Sequence, residues 1–151
     1  MMNPIEHMPW RADWAWSLPL IVMTVVIHVY GLGLINQSIE SILKRPAPRR
    51  FTVRFLALLM GPTALLVTGL HGVEGAVWAA AYYVLGALPD RKSAMLYSLN
   101  AMTSYGHESI GLPSSWQLMG ALEALNGWIL FGLSTAFLFR IIQRAWPLSS
   151  D

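Results

Sequence analysis

Long apolar stretches alternate with short polar clusters along this chain. Leu18 to Ile35 carries no formally charged side chain and follows Trp10, Trp14 and Trp16, aromatic residues suited to the headgroup level of a bilayer. The pattern predicts a first membrane helix over residues 15–43. Phe55 to Leu88 is interrupted only by His71 and Glu74, and Pro89-Asp90 ends it. A helix over residues 52–88 would be about 50 Å long at ~1.5 Å per residue, more than a ~30 Å hydrocarbon core requires. Tilt, protrusion or a kink near Gly61-Pro62 would absorb the excess.

The last third is patterned differently. Ser93 to Met102 is an apolar run of about ten residues, too short to cross a bilayer but right for a helix that enters and turns back. The segment predicts a short helix over residues 93–103, followed by the polar, glycine-containing stretch 103–110, Thr-Ser-Tyr-Gly-His-Glu-Ser-Ile. In lipid, non-helical backbone survives only where protein buries it or water reaches it, so this stretch is the place to seek function. Leu112-Pro113-Ser114-Ser115 reads as a turn with serine caps, and a last helix is expected over residues 116–144. The fold class is therefore an all-α membrane protein with three transmembrane helices and one re-entrant helix, in a single domain spanning residues 1–151.

Composition agrees: 55% of the residues are hydrophobic and 12% charged. The absence of cysteine excludes disulfides, thiolate metal sites and cysteine nucleophiles. The opening seven residues lack the basic region of a signal peptide, so the first apolar run is expected to be retained. Net charge is +2, but the basic residues collect where membrane topology puts them, so no nucleic-acid partner is expected. Lys44, Arg45, Arg49, Arg50 and Arg54 lie between the first two spans, and Arg140 and Arg144 end the last. Under the positive-inside rule both groups are cytoplasmic, which places the N-terminus outside and the C-terminus inside a multi-pass inner (cell) membrane protein. Three crossings satisfy this arrangement.

The order outer helix, short helix, polar segment, inner helix is the pore-loop plan of potassium channels. Tyr97-Ser-Leu-Asn-Ala-Met-Thr-Ser-Tyr-Gly-His-Glu-Ser-Ile110 resembles the pore helix and filter of that family, whose signature reads Thr-Val-Gly-Tyr-Gly-Asp. The segment from Trp116 to Ala136 is similar to the inner helix of its small bacterial three-helix members. The resemblance covers roughly residues 70 to 142. It implies a homotetramer in the lipid bilayer, a filter formed by Thr103, Ser104, Tyr105, Gly106, His107, Glu108 and Ser109, and passive passage of a cation (K+, Na+ or a divalent ion) with no other cofactor.

Only Gly106 is identical to the signature when Ser104 is set against its threonine. Glu108 stands where the second glycine is expected. A non-glycine residue in the left-handed conformation costs about 1 to 2 kcal/mol, incurred once per chain. A fourfold ring of Glu108 carboxylates at the mouth would instead suit a less selective or divalent-preferring pore, and His107 would tune it with pH. Glu108 and His107 are thus candidate metal-contacting residues. The alternative is a non-conducting or repurposed pore-loop protein.

Ionisable residues inside membrane helices each demand an explanation. His71 and Glu74 lie three apart on one helical face, and Glu123 stands at comparable depth in the last helix. They are expected to support the filter from behind; a metal site of His71, Glu74, Glu123 and His107 is the alternative. His28 is expected to be a satisfied core or interhelical hydrogen-bonding residue rather than a ligand. Gly127 and Gly132 are candidate gating hinges or simple packing positions. No helix carries a regular arginine series of the kind used for voltage sensing, and no hydrolase elbow, phosphate loop or zinc-protease motif is present, so no enzyme activity is expected.

Overall fold

A computed structural model of the chain describes residues 8–44, 53–105 and 110–145. The described residues are helical: α1 (Met8–Leu43), α2 (Val53–Val84), α3 (Arg91–Thr103), a 3₁₀ turn (Ser114–Trp116) and α4 (Gln117–Ala145). Three helical stretches, Arg11–Leu43, Val53–Val84 and Ser114–Ala145, are long and apolar enough to cross a membrane.

Local chemistry sets the boundaries. α2 stops at Val84, short of the expected residue 88, because Gly86 takes a left-handed conformation with φ 66°. There the amides of Gly86 and Ala87 return to the carbonyls of Tyr83 and Tyr82, closing a Schellman motif. Asp90 then caps α3, its Oδ1 accepting from the amides of Lys92 and Ser93 at 2.9 Å each. α3 ends in a second Schellman motif, with Ser104 at φ 54° where glycine is the usual choice. The serine caps expected at the start of the last helix are absent: Pro113 precedes the 3₁₀ turn and no side chain caps it. Asp13 of α1 takes that role from outside, its carboxylate facing the Met119 backbone amide one turn into α4. The described part of α1 is already helical at Met8, ahead of the expected residue 15. Neither Pro19 nor Pro62 ends its helix; both lie inside continuous α-helix.

Contacts along the helices fix their relative directions. Thr24 meets Asn126, His28 meets Ser134 and Glu40 meets Arg144, so α1 and α4 run the same way. α2 runs against them, with Leu59 packed in one cluster with Ile39 and Ile141. α3 starts beside the end of α2, with Arg91 over the Tyr83 ring, and follows α4 in parallel. A Cβ at Gly120 would meet the Tyr97 hydroxyl and Leu112, and one at Gly127 would meet the backbone of Met102. α3 therefore reaches the level of Gly127, eleven residues into α4, while Leu112 lies back at the level of Gly120.

The interior has three layers. One apolar cluster, around Trp78, Tyr82, Leu88 and Met119, lies at the α3 end. Another, made by Ile39, Leu59, Ile141 and Ala145, lies at the opposite end. Between them sits a buried polar layer that includes Thr24, His28, His71, Glu74, Ser98, Glu123, Asn126 and Ser134. The outer faces are apolar, with Val26, Tyr30, Leu58, Leu65, Leu125 and Trp128 all exposed.

Candidate functional site

The polar layer is built from one face of each long helix. On α1, Asp13, Ser17, Thr24 and His28 recur at helical spacing and are all buried. On α2, His71 and Glu74 lie one turn apart; on α4, Glu123, Asn126 and Ser134 face inward. Where apolar side chains face lipid of equal apolarity, close packing and interhelical hydrogen bonds hold a bundle together, each such bond contributing about 0.6 kcal/mol on average.

Four of these residues form a ring. Glu74 Oε1 lies 2.7 Å from His28 Nδ1. His28 Nε2 lies 3.2 Å from Ser134 Oγ, and Ser134 Oγ lies 3.0 Å from His71 Nε2. His71 Nδ1 returns to Glu74 Oε2 at 3.1 Å, which closes the circuit, but the approach is out of line and both atoms lack a hydrogen-bond partner. His71 also stacks on Phe131, with ring centroids 4.4 Å apart.

Proton counting explains the weak link. An ionised carboxylate only accepts, so His28 donates through Nδ1 and, when neutral, accepts at Nε2 from the Ser134 hydroxyl. Ser134 Oγ then accepts from His71 Nε2, and His71 Nδ1 is left as a lone pair facing Glu74 Oε2. One carboxylate, two neutral imidazoles and one hydroxyl supply three protons for four links. The ring in this state lacks one cation and carries an uncompensated negative charge among buried groups.

A second cluster holds α3. Glu123 accepts from the Tyr82 hydroxyl at 2.7 Å through Oε2 and pairs with the Ser98 hydroxyl through Oε1. Ser98 Oγ also reaches the Gly75 carbonyl at 2.8 Å. The short helix is thereby pinned at mid-length to both α2 and α4. Between the two clusters, Asn126 donates to Thr24 Oγ1 at 2.7 Å.

The residues singled out in the sequence divide accordingly. His71 and Glu74 come together as expected, but Glu123 does not join them. It is engaged by α3, and the third member of the buried group is His28, whose donor atoms lie within 4.8 Å of those of His71 and Glu74. The polar stripe at spacing four, seven and four on α1 was the signal for it. Thr103 ends α3, its hydroxyl bonded back to the Leu99 carbonyl at 2.9 Å. Ser104 caps the helix and accepts from Trp128 Nε1 at 3.0 Å, and Tyr105 is exposed. Gly106, His107, Glu108 and Ser109, the centre of the expected filter, lie outside the described residues. Gly127 is a close-approach position against Met102, whereas Gly132 has open space around its Cβ direction. Tyr97, Asn100, Ser104, Gln117 and Ala124 line a partly polar concavity on the α3–α4 face.

No protein-family model, no curated protein and no solved structure matches this chain.

Proposed function

We propose that the chain is a pore-loop cation channel subunit, with three membrane crossings, a re-entrant α3 and a homotetrameric assembly around a path formed by residues 103–109. The observation that carries this reading is the position of α3. The thirteen-residue α3 packs between α2 and α4, is pinned there by Ser98, Glu123 and Tyr82, and ends near the level of Gly127, while Leu112 lies back at the level of Gly120. Such a helix supports irregular backbone at depth, where lipid alone could not satisfy it. The concavity lined by Asn100, Ser104 and Gln117 suits water or a neighbouring copy better than lipid. The apolar outer faces of α1 and α2 suit the bilayer.

In this reading the buried Glu123 supports the filter from behind, while α1 packs outside the pore unit. The basic loop and Arg144 face the cytoplasm. Glu108 replaces a filter glycine and adds a carboxylate per chain, so selectivity departs from strict potassium selectivity.

Purified protein reconstituted in liposomes and assayed for potassium, sodium and calcium flux tests this function. Flux above that of protein-free liposomes is expected, with an altered ion preference in Glu108→Gln. Background flux for every ion would mean a non-conducting pore-loop protein and would overturn the proposal.

A further inference from the structure

The ring at the centre of the bundle has a use that conduction does not require. We infer that His28, His71 and Glu74 form a binding site for one divalent first-row transition-metal ion per chain, with Ser134 beside it. This site is independent of the pore reading, because it lies between α1, α2 and α4 and draws on no residue of the 103–109 segment.

The donor set is the first argument. Two imidazoles and one carboxylate place their ligand atoms within 4.8 Å of one another. That mixture of nitrogen and oxygen donors suits zinc, cobalt or nickel; calcium and magnesium prefer oxygen alone.

The second argument is the pair that fails to bond. His71 Nδ1 and Glu74 Oε2 are buried without hydrogen-bond partners, yet stand 3.1 Å apart. Two ligands of a tetrahedral ion with bonds of about 2.0 to 2.1 Å are separated by about 3.3 Å. The separation is close to that edge, and both lone pairs are open to a shared cation. A proton bridging the two atoms would call for an in-line approach, which this geometry lacks.

The surroundings are arranged as metal sites require. Ser134 accepts from His71 Nε2, which selects the tautomer whose Nδ1 is free to bind. His28 lies between Glu74 Oε1 and Ser134, so a shift of its one ring proton from Nδ1 to Nε2, which then donates to Ser134 Oγ while the serine hydroxyl turns away, frees Nδ1 as the third ligand with the imidazole still neutral. Among the described residues Glu74 faces only the two imidazoles at ion-pair distance, and no lysine or arginine meets it. A metal ion thus supplies the missing positive charge. His71 is the most exposed of the three, with 11% of its side chain accessible beside Phe131, and gives the ion its entry. An occupied site staples α1 to α2 and gives the first helix a purpose.

The test uses the full chain in detergent, stripped with a chelator and titrated with zinc chloride by calorimetry, with cobalt as a spectroscopic probe. One zinc per chain is expected, with affinity falling at least tenfold in Glu74→Gln and in His71→Asn and unchanged in Glu123→Gln. Circular dichroism identifies any variant that fails to fold. In that case the wild-type cobalt spectrum decides: a tetrahedral nitrogen–oxygen spectrum supports the site, and that of the hydrated ion refutes it. No zinc uptake by wild type, equal affinity in Glu74→Gln and Glu123→Gln, or equal competition by calcium would each overturn the inference. So would uptake of a proton by the ring, seen by histidine NMR, in protein that takes no zinc.

Discussion

Glu74 Oε1 lies 2.7 Å from His28 Nδ1, joining α2 to α1 across 46 residues of chain with both side chains fully buried. Removing one partner of such a pair leaves the other without compensation, which costs about 3 to 5 kcal/mol, far more than the bond itself contributes. His28→Leu should therefore destabilise strongly, whereas Glu74→Gln, which removes the charge, keeps an acceptor for His28 and gives the unpartnered His71 Nδ1 a donor, should cost less than about 1 kcal/mol in the metal-free protein. The double variant His28→Leu/Glu74→Leu should lose less than the sum of its two single changes. Unfolding in mixed detergent micelles measures the wild type, His28→Leu, Glu74→Gln, Glu74→Leu and the double variant.

Glu123 should follow a similar rule with a different readout. Glu123→Gln keeps a donor for Ser98 and an acceptor for Tyr82, so the bracket around α3 survives. Glu123→Ala orphans the Tyr82 hydroxyl and opens a cavity, with an expected loss of about 3 kcal/mol. Hydrogen exchange should show that loss first in α3, since Ser98 is its mid-length anchor.

The two candidate hinge glycines can be separated. A Cβ at Gly127 would meet Met102 Cα, carbonyl carbon and oxygen, all backbone atoms that cannot move aside cheaply. Gly127→Ala should cost about 2 kcal/mol. Gly132 has nothing within 4 Å of a Cβ, so Gly132→Ala should gain roughly 0.5 to 1 kcal/mol of helix stability. If Gly132 bends during gating, liposome flux falls in Gly132→Ala although its unfolding midpoint rises.

Asp90 gives a pH dependence outside the membrane-length helices. The Ser93 hydroxyl and amide, with the Lys92 amide, hold its carboxyl below the ordinary value of 3.8. A lowered folded-state value means that the cap contributes above the unfolded value and is lost as pH falls through the folded one. Protection of the first-turn amides of α3 should thus decline below about pH 3.8, after correction for intrinsic exchange, and that decline should vanish in Asp90→Ala.

Much of this architecture is legible in the sequence. The three long apolar spans and the short helix after Asp90 follow from hydropathy and length, whereas the end of α2 at left-handed Gly86 and the Asp90 cap of α3 are local backbone chemistry that hydropathy does not show. Ser114 and Ser115 looked like caps, but the carboxylate of Asp13, a hundred residues earlier in the chain, faces that helix start instead. A sequence shows which residues share a helical face, not which faces meet. For that reason Glu123 looked like a partner for His71 and Glu74, when α3 engages it and His28 fills the place. The interhelical role expected of His28 was correct; its membership of the ring depended on how α1 is rotated toward α2.

The account rests on α3 entering and returning on one side, and the lack of native cysteine makes that directly measurable. Single cysteines at Lys92, Ser114, Lys44 and Arg144, probed in intact and permeabilised cells with a membrane-impermeant maleimide, report their sides. Lys92→Cys and Ser114→Cys should label from outside intact cells, and Lys44→Cys and Arg144→Cys only after permeabilisation. Labelling of Lys92→Cys and Ser114→Cys from opposite sides would show that α3 crosses the membrane, and would contradict the account.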